Sequence, residues 1–193
     1  RKFSYYRYHQ QPLGVQHITQ NHQDQLKFLN IDKYFISDLS WMAKSNKFKE
    51  KYVVIIPGAS KSGEYKKWPI EKYAEVCNYL IKKNFKVFLT GSILDQSDIN
   101  SIIQLAPQAK DMTKESKIDV FYDLCLHANL IISNDTGPAH IAGLTNKDLI
   151  WLANDNKISR SCHPLGNKVH KILSKNVKDI ETNDVLKKID QII

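Results

Sequence analysis

Two hydrophobic periods alternate along residues 52–193. Short apolar runs rich in Val, Ile and Leu recur at 52–56, 86–90, 130–133, 149–152 and 169–173, with the length and composition of buried strands. Between them, apolar positions return every three or four residues, most plainly at Ile70, Tyr73, Ala74, Cys77, Leu80 and Ile81. Side chains spaced in this way share one face of a helix. That helix is predicted to end near Asn84, and others are predicted over about 97–105, 118–128, 138–144 and 183–192. Strands alternating with helices specify a mainly parallel sheet covered on both faces. The stretch 52–193 is therefore predicted to be an α/β domain with a Rossmann-like doubly wound parallel sheet.

Residues 1–51 follow a different pattern. They are polar and rich in His, Gln and Tyr, with one amphipathic candidate helix over about 19–29. Leu26, Phe28, Leu29 and Ile31 could dock on a neighbour but are too few to make a core. Residues 37–51 read as a linker. Arg1 stands where an initiator Met would be expected, so the chain is expected to begin inside a longer reading frame or after processing.

Doubly wound sheets bind ligands at the carboxyl ends of their strands, which directs attention to three loops. The first, residues 57–69, holds Gly58, Ser60, Ser62, Gly63, Lys61, Lys66 and Lys67 before Trp68 and Pro69. Glycines admit close backbone approach, hydroxyls donate hydrogen bonds, and lysines offer compact positive charge to a phosphate. It is not a Walker A loop, because Glu64 and Tyr65 stand where that motif needs Lys and Ser or Thr. The second loop follows a buried run and reads Ser133, Asn134, Asp135, Thr136, Gly137, Pro138, Ala139 and His140. Asp135 or Thr136 is expected to cap the helix that follows, whose N-terminus favours anions, with His140 in its first turn. The third loop carries Asp95 and Asp98 before a helix. An acid there can take ribose hydroxyls or cap the helix.

Composition narrows the classes. With 42% apolar and 25% charged residues the chain resembles an ordinary globular protein, which argues against disordered and fibrous classes. No apolar run approaches the ~20 residues that span a bilayer, and no basic-then-apolar leader opens the chain, so a cytoplasmic location is expected. Cys77, Cys125 and Cys162 lie far apart and suggest neither a disulfide framework nor a zinc site. The net charge of +8 favours anionic partners. Among the 28 basic residues only Arg1, Arg7 and Arg160 are arginine, and no base-reading motif appears, so a nucleic-acid partner is not expected. A nicotinamide fingerprint is absent as well. The sequence suggests no cofactor and no metal site.

The string at 133–140, preceded by Pro57, Gly58, Ala59 and Ser60 and by Lys66, Lys67, Trp68 and Pro69, resembles glycosyltransferase family 9, the lipopolysaccharide heptosyltransferases and their relatives. The likeness covers roughly residues 52–193. It departs at 111–118, where Lys114 and Glu115 replace a usual Gly and Lys, and at 153–156, where the chain lacks a common Phe-Gly-Pro and reads Ala153, Asn154, Asp155 and Asn156. The resemblance implies the C-terminal, donor-binding half of a GT-B glycosyltransferase, with residues 1–51 as linker and remnant of an N-terminal acceptor half. It implies that Lys66 contacts the donor diphosphate with help from Ser60. Asp135, Thr136, Gly137 and His140 would line the diphosphate and sugar pocket, Asp95 would meet the ribose, and Met112 and Thr113 would lie near the base. The expected reaction is inverting and metal-independent. It would move a sugar from a nucleotide diphosphate sugar, such as an ADP-heptose, to a lipid-linked or glycan acceptor, with peripheral contact with the inner membrane. The general base is expected in the N-terminal half, so no catalytic residue is assigned here. The rival reading is a non-catalytic nucleotide- or phosphate-binding module, or a split half that works only with a partner chain.

Overall fold

Val53, Val54, Ile55 and Ile56 are wholly or almost wholly shielded from solvent, as strand residues become when helices cover both faces of a sheet. The computed structural model describes residues 12, 14–33, 38–44, 50–115 and 117–193. Part of the expected linker at 37–51, and Ser116, lie outside the described residues. Six parallel strands pair in the order β3-β2-β1-β4-β5-β6. They are β1 (Tyr52–Ile56), β2 (Lys86–Leu89), β3 (Lys110–Asp111), β4 (Leu130–Asn134), β5 (Leu149–Asn154) and β6 (Val169–Ser174). The helices are α1 (Ile18–Phe28), α2 (Ile70–Lys82), α3 (Gln96–Leu105), α4 (Ile118–Leu126), α5 (Gly137–Gly143), α6 (Lys157–Ser161) and α7 (Thr182–Ile192). This is the Rossmann-like doubly wound sheet predicted from the alternation of periods.

Successive side chains of β1 part to opposite faces. Val53 and Ile55 join one core with Tyr73, Cys77 and Leu80 of α2, Ile99 and Ile102 of α3, and Val185 and Ile189 of α7. Tyr52, Val54 and Ile56 join the other, with Phe121, Leu124 and Cys125 of α4 and Ala139 and Ala142 of α5. Helix α2 stops where Asn84 adopts φ 63°, the left-handed conformation that Asn tolerates at helix ends. The Phe85 N–H then donates to Leu80 O at 3.1 Å. Cys77 and Cys125 are buried and Cys162 is half-buried, all three without a disulfide; burial pushes the Cys77 thiol up to about 12.

The chain divides into two compact units, Leu39–Asp155 with Pro164–Ile193, and the residues up to Asp38 with Asn156–His163. The first holds the whole sheet. In the second, His17 Nδ1 accepts from the Thr19 N–H at 3.2 Å and caps α1, while His17 Nε2 lies 2.9 Å from His163 O. Phe28, Leu29 and Ile31 remain 44–59% exposed. Helix α6, absent from the sequence reading, is only five residues long and is capped by Asn156 Oδ1. Among the described residues no helix is long and apolar enough to cross a membrane.

Candidate functional site

The strand order reverses between β1 and β4, so the crevice outside their carboxyl ends is where such a sheet binds ligands. The first and second loops of the sequence reading leave the sheet there. Asn134, the last residue of β4, is fully buried and joins them. Its Nδ2 donates to Pro57 O at 2.5 Å, and its Oδ1 accepts from the Trp68 N–H at 3.1 Å and the Tyr73 hydroxyl at 2.9 Å. Asn154, at the end of β5, adds a further tie by donating to Tyr65 O at 3.1 Å while its Oδ1 accepts from the Val177 N–H at 2.7 Å. Trp68 is buried, stacks edge-on against Tyr73 with centroids 5.0 Å apart, and donates its indole N–H to Ile180 O at 2.9 Å. Pro69 occupies the N-cap position of α2 and not its first turn.

Between these anchors, Lys66 reaches across to the second loop. Its Nζ lies 2.8 Å from Asp135 Oδ2, with the carboxylate side chain only 11% exposed. Two residues picked from separate loops thus form one ion pair. Ser60 belongs to the same surface: a Cβ added at Gly63 would stand 3.0 Å from Ser60 Oγ and 3.8 Å from Lys66 Cδ, so the hydroxyl and the lysine stem flank that glycine. Lys67 is placed otherwise, with Nζ 2.6 Å from Glu64 and 2.7 Å from Asp98. Burial works to lower its pKa, but the hydrogen bonds it donates to Asp98 and Glu64 outweigh that and hold the ammonium above the ordinary lysine value. A cavity of about 200 Å³ borders Lys67, Asp98, Trp68 and Lys178, beside the anchors and not at Lys66.

The expected cap of α5 needs correction. Thr136 holds the N-cap position but makes no capping hydrogen bond, and Asp135 turns to Lys66 instead. Pro138 follows at the second position of α5, where its missing N–H costs nothing. Gly137 and His140 are exposed on the first turn, and nothing lies within 4 Å of a Cβ added at Gly137.

Asp95, Met112 and Thr113 sit farther along the sheet edge, beyond β2 and β3. Asp95 Oδ2 accepts from the Ser92 N–H at 2.8 Å and the Ser92 hydroxyl at 2.7 Å in a capping box. The residue is 6% exposed, and its other oxygen, Oδ1, is buried without a hydrogen-bond partner. A Cβ on Gly58 would fall 2.3 Å from that oxygen, so the carboxylate is pressed against the start of the first loop. Thr113 is buried, with Oγ1 2.8 Å from Gln96 Oε1 and 2.7 Å from Asp111 Oδ1. Met112 packs at the margin of the α4 and α5 core. The sequence reading singled out neither Asn134 nor Asn154. A polar residue closing each buried run was the available signal. Among the described residues no group of three His, Cys, Asp or Glu side chains could hold a metal ion.

A family model described as glycosyltransferase family 9 (heptosyltransferase) matches residues 4–189. Lipopolysaccharide heptosyltransferase 2 of Escherichia coli is 31% identical over 101 residues, which are 50% of this chain and 29% of that protein. A solved structure of E. coli ADP-heptose lps heptosyltransferase II superposes with a TM-score of 0.67 at 24% identity, covering 83% of this chain and 53% of that one. E. coli heptosyltransferase WaaC with ADP gives 0.77 at 14% identity, covering 98% and 60%. These superpositions establish a shared fold, and the chain spans little more than half of each solved relative.

Proposed function

The chain belongs to glycosyltransferase family 9, and from that premise we propose that residues 52–193 bind a nucleotide diphosphate sugar as the donor half of an inverting, metal-independent sugar transferase. Residues 1–51 belong on this reading to linker and acceptor half. The observation that carries it is the Lys66–Asp135 pair at the switch point of the sheet. Support comes from a partly exposed cation there, from the Ser60 hydroxyl in the same loop as Lys66, and from Thr136, next in sequence to Asp135, whose hydroxyl makes no capping bond. On cleavage of the sugar C–O bond, negative charge gathers on the departing diphosphate. Lys66 turns from Asp135 to that charge, and the Ser60 and Thr136 hydroxyls donate to it, so stabilisation comes from fixed donors aimed where charge develops. Gly137, with open space around it, leaves room for the sugar beside His140. On this reading the ribose lies at the strand end that carries Asp95 and the base at the one that carries Met112 and Thr113. The acceptor hydroxyl, on a lipid-linked or glycan substrate at the cytoplasmic face of the membrane, loses its proton to a base outside these loops.

One relative was solved with ADP, which makes ADP the natural probe. Calorimetry on this chain in excess chelator is expected to show saturable ADP binding. Loss of binding on chelation, restored by magnesium, would overturn the metal-free assignment; no binding under either condition would overturn the donor reading itself.

A further inference from the structure

We propose that Asn134 is the positioning residue of the donor loop, setting where Lys66 stands without touching the nucleotide. This rests on the reading of Lys66 as the diphosphate contact. Asn134 Nδ2 donates to Pro57 O, where the loop leaves β1, and Oδ1 accepts from the Trp68 N–H, where the loop enters α2. One side chain therefore closes the segment carrying Ser60 and Lys66 at both ends. Those two bonds already decide which way the amide faces, and a third, from the Tyr73 hydroxyl to the same Oδ1, agrees with that orientation. A flipped amide would set its NH2 against two donors and its oxygen against the Pro57 carbonyl. Burial raises the Tyr73 pKa well above the ordinary tyrosine value, so its hydroxyl stays protonated and remains a donor. Asn134 is wholly buried and its oxygen already accepts twice, which leaves it no face for a ligand. Its chain neighbour Asp135 takes the lysine tip. Two successive residues thus hold the feet and the head of the loop.

A loop held this way loses little further freedom when a ligand arrives, and affinity gained through preorganisation vanishes when the hold is cut. Aspartate at 134 keeps both acceptors but has no donor for Pro57 O. Asn134→Asp is expected to weaken ADP binding about tenfold, the equivalent of one hydrogen bond of about 1.4 kcal/mol. Since Asp also adds charge, the decisive measurement is the cycle with Lys66→Ala. The double variant is expected to bind ADP within about twofold of Lys66→Ala alone. Full additivity would mean that Asn134→Asp acts by charge or by general loosening, and would overturn the proposal. Tyr73→Phe supplies the control for stability, because it removes a bond to the same amide but leaves both loop anchors. It is expected to lower the denaturation midpoint without changing ADP affinity, and a parallel fall in affinity would count against positioning. If Lys66→Ala weakens ADP binding and Asn134→Asp does not, the positioning role falls and the donor site stands; if the native chain binds no ADP, both fall. Should Asn134→Asp fail to fold, hydrogen exchange on the native chain decides. The Trp68 amide is expected to exchange as slowly as the amides of β2 before ADP is added, and fast exchange there that ADP suppresses would overturn the proposal.

Discussion

Lys66 and Lys67 adjoin in sequence and differ in circumstance. The first pairs with Asp135 at the switch-point crevice, while the second is held between Glu64 and Asp98. Lys66→Ala is therefore expected to weaken ADP binding by about 1.5 to 3 kcal/mol, the range for a hydrogen bond to a charged group. Lys67→Ala should cost ADP binding less than about 1 kcal/mol. Titration calorimetry on both variants checks this, and equal losses would mean that the loop acts through diffuse charge. Gly58 makes a second residue-scale case. Its Cα lies so close to the Asp95 carboxylate that an added Cβ would sit 2.3 Å from Asp95 Cγ, so Gly58→Ala should destabilise the fold by about 1 to 3 kcal/mol. In an Asp95→Ala background most of that cost should disappear, a coupling that denaturant midpoints measure directly. That the loops carrying Lys66 and Asp135 meet at one sheet edge was legible in the sequence, because a strand-to-helix alternation must place both there. Asn134 and Asn154 were not, because their partners Trp68, Tyr73, Tyr65 and Val177 are remote in sequence and only the tertiary fold brings them into reach.

At the scale of elements, hydrophobic period was a good guide wherever an element is long enough to show one. Helix α2 and strands β1, β4 and β6 fall within a residue or two of their predicted ends; β1 and β4 are buried throughout and α2 along one face, while β6 is only half-buried but keeps an apolar run. Strand β3 was not foreseen: Lys110 and Asp111 are both exposed and only two residues long, too short and too polar to show any period. What fixes that edge is a polar network. Burial raises the Asp111 pKa, but hydrogen bonds from the Thr113 N–H, the Gln96 amide and the Thr113 hydroxyl outweigh it and hold the carboxyl below the usual carboxylate range. A group with a depressed folded pKa contributes stability above its unfolded value of about 3.9 and loses that contribution as pH falls through the folded value. Asp111→Asn should therefore lower the urea midpoint at neutral pH, and the gap from the native chain should close in strong acid. A gap that widened on acidification would contradict the assigned network. The 3-10 turn at Ile93–Asp95 shows the same limit of periodicity: Asp95 was readable as a capping residue, but its bonds to Ser92 and its packing against Gly58 were not.

At the scale of the molecule, charge and coverage act together. The net +8 draws anionic ligands toward the chain, and the switch-point crevice offers them a cation and hydroxyls. Binding is not transfer. Sugar transfer needs the acceptor hydroxyl and its base held at near-attack distance from the donor carbon, an arrangement worth about 7 to 11 kcal/mol of the barrier. In a two-half transferase the facing half supplies that arrangement. This chain covers 53% and 60% of the two solved relatives, and the carboxylates around the first three loops are already engaged: Asp95 with Ser92, Asp98 and Glu64 with Lys67, and Asp135 with Lys66. Assayed by itself with a nucleotide heptose and a lipid A-type acceptor, the 193-residue chain is expected to bind donor and transfer no sugar. Supplying an acceptor half in trans should restore turnover if the chain is a working donor half. If it binds nucleotide sugar but stays inactive with every such half, it is a binding module that has lost catalysis. Turnover by the chain alone at an ordinary enzymatic rate would require a base within residues 1–193, and Asp135, freed when Lys66 moves to the diphosphate, would then be the first carboxylate to replace.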